Sequence, residues 1–224
     1  VTRAEQPAQL FLKKRAGGMT LSEASSPWPI ARTLAVGDLD NDLRHDAVFA
    51  TASGIEIWFQ GKEEPLRLPM EGPVADQIKL MDYDNDGWLD IMGFGKGFLS
   101  SWRNTGLEGF VETTDALGLS EAINGTITCM LRGDMDGDCD SDLVLTLTDQ
   151  SIRILRNEGG NTNTMLKIRM EGSRSNPSGR PLYGLDGVWP EADHRHQHEC
   201  VRRTAFTHRL HLHRNLRWRS QLHR

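Results

Sequence analysis

IKLMDYDNDGWLDIMGFGKGFLSSWRN, Ile78 to Asn104, holds the pattern that decides how this chain folds. A short apolar run leads into D-x-D-x-D-x-x-x-D at Asp82, Asp84, Asp86 and Asp90, and a second apolar run follows the last Asp. The same order occurs in TLAVGDLDNDLRHDAVFATASGIEIWFQ, Thr33 to Gln60, with Asp38, Asp40, Asp42 and Asp46. It occurs again in TCMLRGDMDGDCDSDLVLTLTDQSIRILRN, Thr128 to Asn157, with Asp134, Asp136, Asp138 and Asp142. The last Asp lies 14, 14 and 15 residues before the polar residue that ends each segment, and the first Asp recurs after 44 and then 52 residues. Self-similarity at such a period marks a repeat architecture.

The runs around the aspartates predict strands. AVFAT, DIM and LVLTLT are short, rich in β-branched or aromatic residues, and bounded by turn residues. IRIL and LKIRM alternate with a period of two, as half-buried strands do. GLEGF and LGLS, between the repeats, are punctuated by Gly and read as loop. The opening QLFLKKRAGG reads as the closing strand of an earlier repeat. No stretch keeps a helical period over three turns. Short strands recurring every roughly 45 residues are the sign of propeller blades. The expected fold is all-β, a partial β-propeller of about three four-stranded blades with calcium-binding loops.

Calcium is a hard cation that takes six to eight oxygens from carboxylates, carbonyls and water. A nine-residue loop can offer side chains at positions 1, 3 and 5, a backbone oxygen at 7 and a carboxylate at 9. The candidate ligands are therefore Asp38, Asp40, Asp42, Asp46; Asp82, Asp84, Asp86, Asp90; and Asp134, Asp136, Asp138, Asp142. The carbonyls of Arg44, Trp88 and Asp140 occupy position 7. Like charges so close repel unless a cation neutralises them. Solvated acidic turns would explain one such loop, but three with one spacing favour Ca2+. An EF-hand is excluded, because it needs Glu at position 12 and flanking helices, and position 12 holds Phe49, Gly93 and Leu145 inside strand-like runs.

The loops differ at position 6, which is Leu43, Gly87 and Cys139. If that position needs a positive φ, only Gly adopts it freely. Arg44 and His45 also dilute the first loop's charge. The expected order of affinity is second, third, first, with dissociation constants on the order of 10⁻⁴ to 10⁻³ M.

At these residues the chain resembles the FG-GAP and VCBS class of repeats, the calcium-loop blades of integrin-α-like propellers, over roughly residues 10–157, and residues 1–156 are assigned to such blades. Leu43 and Cys139 depart from the Gly that the class prefers. The resemblance implies a secreted, extracellular or periplasmic, multi-bladed propeller in which the ions brace turns between strands. LRNEGGNTNTMLKIRMEGSRSNPSG, Leu155 to Gly179, resembles the start of the ASPIC/UnbV domain, which assigns residues 157–179 to that segment. The likeness stops at Arg180.

Charge separates the same parts. Residues 1–179 carry a balance of −10 and residues 180–224 a balance of +5, with seven of the eight His. The tail contains His194, His196 and His198, then His211 and His213, among many Arg. Alternate His could hold zinc or copper, and Arg could meet nucleic acid. The abrupt composition change, the lack of Lys and the lack of any hydrophobic period instead predict a frameshifted or otherwise non-native stretch, with a disordered basic tail as the alternative. No nucleic-acid partner is expected. Cys129 and Cys139 flank one turn, and sequence leaves open whether they pair or stay isolated thiols; Cys200 stands apart.

No apolar run is long enough to span a bilayer. The chain starts at Val1 without a basic-then-apolar leader, so a signal peptide is expected to be absent or already removed. Residues 1–179 show no constellation of nucleophile, base and oxyanion donors, and no enzyme activity is expected. Trp28, Trp58, Trp88 and Trp102 suit a ligand-binding surface or, more commonly, core anchoring. Asn124-Gly125-Thr126 is a glycosylation sequon, meaningful only in a eukaryotic secretory setting. The expected function is a calcium-stabilised scaffold that binds a protein or glycan through its loops. The alternative is a non-catalytic fragment of a larger propeller enzyme. Propellers close with four to eight blades, so further blades are expected outside this chain.

Overall fold

The computed structural model describes residues 2, 6–14, 17–22, 28–70, 73–138, 140–159, 163 and 218–222. Each Asp loop runs from one strand to the next. β3 (Thr33–Gly37), β4 (Asp46–Thr51), β5 (Gly54–Trp58) and β6 (Leu66–Pro69) form an antiparallel sheet in that order. β7 (Gln77–Met81), β8 (Asp90–Gly95), β9 (Phe98–Asn104) and β10 (Phe110–Glu112) form the second. β11 (Ile127–Gly133), β12 (Asp142–Leu147), β13 (Ile152–Asn157) and β14 (Trp218–Leu222) form the third. β1 (Phe11–Lys13) and β2 (Met19–Leu21) make a separate two-stranded sheet, and among the described residues none of the four sheets closes on itself. Among the described residues the fold is all-β apart from a 3-10 turn at Gly106–Glu108 and the one-turn helix α1 (Leu119–Ala122). No helix among the described residues is long and apolar enough to cross a membrane.

The three large sheets share one register. The last Asp of each loop pairs with the residue just before the loop: Gly37 with Asp46, Met81 with Asp90, Gly133 with Asp142. The next residue pairs across to the third strand: Ala47 with Trp58, Ile91 with Trp102, Leu143 with Leu155. The polar residue that ends each repeat therefore sits at one equivalent place. The extra residue of the third repeat is taken up in a hairpin. β4–β5 and β8–β9 turn through two residues between Thr51 and Gly54 and between Gly95 and Phe98. β12–β13 turns through three residues, with Leu147 N–H on Ser151 O and Gln150 at φ 67°. A left-handed last residue is the usual geometry of a three-residue hairpin.

The sheets stack face to face in chain order. Val48, Ala50, Ile55 and Ile57 meet Ala75, Ile78, Ile91 and Trp102 between the first and second. Met81, Met92, Phe94 and Leu99 meet Ile127, Met130, Leu143, Leu145 and Leu155 between the second and third. β4 and β8 are buried on both faces, which is why AVFAT and the run from Ile91 read as continuously apolar. The other face of the first sheet carries Ala47 and Phe49 against Ala8 and Ala31, with the Trp28 ring 5.2 Å from Phe49. Trp102 is in the core, Trp58 packs on the Phe49 cluster, and Trp88 lies over Gly106. Trp28 and Trp58 share the Phe49 cluster while Trp88 and Trp102 lie elsewhere, so the four do not form one surface.

Three expectations change. GLEGF is not all loop, because Phe110 begins β10 on the edge of β9. LGLS leads into α1, because Leu117, Leu119 and Ile123 are drawn between the second and third sheets and one helical turn spaces them for burial. The end of the tail, Trp218–Leu222, supplies the fourth strand of the third sheet, antiparallel to β13. Most of 157–179, Cys139, Cys200 and the His-bearing positions of the tail lie outside the described residues; Cys129 is an exposed free thiol.

Phe94 is fully buried at the junction of the second and third sheets. Phe94→Ala is expected to cost about 3–5 kcal/mol in denaturant unfolding; a loss below about 1 kcal/mol would contradict this packing.

Candidate metal centres

Each loop is folded by its own aspartates. The ninth, at Asp46, Asp90 and Asp142, is at most 1% exposed. One of its oxygens accepts the N–H of the loop's second residue: Leu39 at 2.8 Å, Tyr83 at 3.0 Å, Met135 at 2.7 Å. The other accepts the N–H of the residue that ends the repeat: Gln60 at 2.9 Å, Asn104 at 2.8 Å, Asn157 at 2.9 Å. This contact is the reason for the spacing of 14, 14 and 15 residues.

The first Asp caps the turn. Asp38 accepts from Asp42 and Leu43 N–H, Asp82 from Asp86 and Gly87, and Asp134 from Gly137. The fifth accepts from the seventh residue's N–H, Arg44 at 2.8 Å, Trp88 at 2.9 Å and Asp140 at 3.0 Å. Such side chain to backbone bonds are what Asp offers a turn. The chain must also turn left-handed at position 4, where Asn41, Asn85 and Gly137 have φ of 56°, 55° and 80°. At position 6, Gly87 has φ 90° and Leu43 has φ 69°, so the first loop holds a branched, exposed residue in a conformation that favours Gly.

The arrangement gathers carboxylates. Oxygens of Asp38, Asp40 and Asp42 lie within 4.8 Å of one another, as do those of Asp82, Asp84 and Asp86, and of Asp134, Asp136 and Asp142. In the third loop the ninth Asp thus stands in the cluster and Asp138 does not. Burial pushes the Asp82 carboxyl up to about 6, against the opposing Gly87 N–H. Burial first, and the Asp86 charge second, raise Asp84; burial, then Asp84, raises Asp90. Burial, then Asp46, raises Asp40, whereas the Arg44 hydrogen bond lowers Asp42. Asp84 is 1% exposed, and its Oδ1 is buried without a hydrogen-bond partner, as is Asp40 Oδ1. A buried orphan oxygen inside a cluster of carboxylates fits a cation, for which each would be a ligand.

Several residues of the site were not singled out from sequence. Arg103 Nη2 lies 2.6 Å from Asp84 Oδ2 and 2.9 Å from Asp86 Oδ2. Arg156 pairs with Asp136 and, at 3.4 Å, with Glu158. Asn104 donates to Leu39 O at 2.8 Å, and Asn157 to Tyr83 O at 2.6 Å, each reaching the loop of the preceding sheet. Asn41 donates to Gly87 O at 3.2 Å and Asn85 to Asp140 Oδ1 at 3.0 Å, so neighbouring loops touch. The Asp140 side chain serves this link, beside its expected role as a carbonyl donor. The signal was the Arg-Asn pair that ends the second and third repeats. A cleft of about 320 Å³ lies between the second and third loops, lined by Asp82, Asn85, Arg132, Asp134, Asp140 and Ser141.

No family model matches this chain, and no curated protein does. Among solved structures it is similar to an Agrocybe aegerita lectin described for specific recognition of non-reducing terminal N-acetylglucosamine. The likeness has 20% identity and a TM-score of 0.39, over 56% of this chain and 35% of that one. The chain thus spans about a third of the lectin's length.

Asp90→Ala removes the acceptor of two backbone N–H groups and is expected to cost about 3 kcal/mol or more in denaturant unfolding; a cost below about 1 kcal/mol would refute the anchoring role. A second expectation concerns pH with divalent ions chelated. A folded pKa raised to about 6 means that Asp82 binds its proton more tightly folded than unfolded. Its contribution is full below the ordinary carboxylate value near 4 and is lost as pH rises through about 6. Thermal midpoints in chelator should therefore fall across that interval, and Asp82→Asn should flatten the fall; an equal slope in the variant would count against it.

Proposed function

We propose that each Asp loop holds one calcium ion, and that the chain is a run of blades from an extracellular or periplasmic β-propeller scaffold that binds a protein or glycan through its loops. The observation that carries the calcium reading is Asp84, a carboxylate 1% exposed whose Oδ1 has no hydrogen-bond partner and stands among oxygens of Asp82 and Asp86. Leaving a carboxylate oxygen dry and without a partner is costly, and a hard divalent ion meets that need with oxygen ligands alone. The residues that would hold the ions are Asp38, Asp40 and Asp42; Asp82, Asp84 and Asp86; and Asp134, Asp136 and Asp142. The carbonyls of Arg44, Trp88 and Asp140 would add oxygen donors. Asp46 and Asp90 already accept two N–H groups each, and a carboxylate oxygen keeps a second lone pair for an ion. When bound, calcium supplies the positive charge that crowded, half-buried carboxylates lack.

The propeller reading is supported by three four-stranded sheets of one strand order and register, stacked in sequence order and tied by the same Asn-to-carbonyl bond. The resemblance of the three Asp loops to FG-GAP and VCBS repeats favours the same reading. The outer face of the third sheet leaves Leu131 and Ile152 exposed, where a further blade would pack.

Calorimetric titration with CaCl2 is expected to show three weak sites, the first loop weakest because Leu43 holds the left-handed place that Gly87 fills in the second. With a dissociation constant near 1 mM, 10 mM calcium adds about 1.4 kcal/mol per site. Thermal melts should rise with calcium and return on chelation; an unchanged midpoint would sink the calcium reading. Leu43→Gly relieves a left-handed Leu that costs about 1–2 kcal/mol, and should tighten the first site several-fold.

A further inference from the structure

The acidic loops have one more shared feature, reached by two routes. In the second and third sheets the third strand carries an Arg one residue before its closing Asn: Arg103 before Asn104, Arg156 before Asn157. Arg103 reaches the third and fifth aspartates of its loop, Asp84 at 2.6 Å and Asp86 at 2.9 Å, and Arg156 reaches the third, Asp136. In the first sheet the equivalent place holds Phe59, and the guanidinium comes from inside the loop, where Arg44 Nε lies 2.8 Å from Asp42 Oδ2. Each loop thus has one guanidinium on a carboxylate of its inner set. The contact in the second loop is not a solvated surface pair, since the side chains of Arg103 and Asp84 are 21% and 1% exposed.

We infer that Arg103, Arg156 and Arg44 are built-in counter-cations that set how tightly the loops take calcium. The inference rests on the calcium reading above. A guanidinium always carries its charge, so it offsets the carboxylates whether or not an ion is present. An ion entering the second loop must displace Arg103 from Asp84 and Asp86 or bear its repulsion, and either lowers affinity. The same charge lets the loop keep its shape without the ion. Arg103 is therefore a positioning residue for the carboxylates and a limit on affinity, and calcium adds stability on top of a partly neutralised loop.

The test compares Arg103→Met, which keeps length and loses charge, with Arg103→Lys, which keeps charge. The probe is Tb3+, with emission excited through Trp88 in the second loop, followed by displacement with CaCl2. Arg103→Met is expected to bind about tenfold more tightly than the native chain, the effect of one unit charge a few ångströms away in a wet site. Its melting temperature in chelator should fall. Arg103→Lys should bind as the native chain does. A residue that only packs would lower the melting temperature in both variants and leave affinity unchanged or weaker. Arg156→Met, at a more exposed place, repeats the comparison in the third loop by calcium titration should the first variant fail to fold. Equal affinity in native and Met variants overturns the inference and leaves the calcium reading standing; no binding in any of them overturns both.

Discussion

The buried carboxylate that ends each Asp loop is the contact on which the rest of the structure depends. Asp46, Asp90 and Asp142 stand where the first and second strands pair, yet their oxygens take N–H groups from the loop and from the end of the third strand. One side chain therefore fixes a loop, the strand that follows it, and the strand after that. Only a short carboxylate does this: Asn would aim an NH2 group at one of the two N–H donors, and Glu is one methylene longer. Two charge-assisted bonds offset the cost of burying the group. Removing it would leave two buried donors without an acceptor.

From that anchor, order passes between sheets. The residue whose N–H binds the ninth Asp is Asn104 or Asn157, and its side chain reaches back to the loop of the preceding sheet, to Leu39 O or Tyr83 O. Each backbone anchor is thus also a cross-sheet link, so a loop cannot move far without disturbing the next. Asn41 and Asn85 add direct contacts from loop to loop. The acidic loops form a connected row, and the apolar faces beneath them supply the adhesion while these polar bonds set the alignment.

The strands that flank each loop and the place of the loops between them were legible in the sequence, because short apolar runs bounded by repeated aspartates recur with one spacing. The spacing of 14, 14 and 15 residues was visible, but its cause was not, since a hydrogen bond to a backbone N–H leaves no mark on residue type. β10 and α1 were missed because Phe110, Leu117 and Leu119 are placed by the sheets they cover and not by local pattern. β14 was missed for the same reason: the strand it pairs with among the described residues is β13, 61 residues earlier in the chain from Asn157 to Trp218. Position 6 was read for its φ, and Leu43 at 69° shows why Gly suits it. The charge balance of the loops was read only in part. Arg44 stood inside the motif, whereas Arg103 and Arg156 stood a strand away and looked like ordinary solvated charges.

Magnitudes decide what that missing charge does. Two carboxylates about 5 Å apart repel by about 3 kcal/mol at an effective dielectric of 20, so three mutual pairs in one loop approach about 10 kcal/mol. N–H bonds from the turn recover part of this, which explains why the first and fifth aspartates double as turn caps. One guanidinium at contact distance recovers more. What remains can be met by a proton or by a divalent ion, and both bind the same oxygens. Near neutral pH protons are scarce, whereas the guanidinium is always present. On the calcium reading proposed above, an ion would have only the residual repulsion left to relieve, and binding would be weak even with a full set of oxygen ligands. Weak binding would then follow from a loop already partly neutralised by its one guanidinium, and not from a shortage of carboxylates.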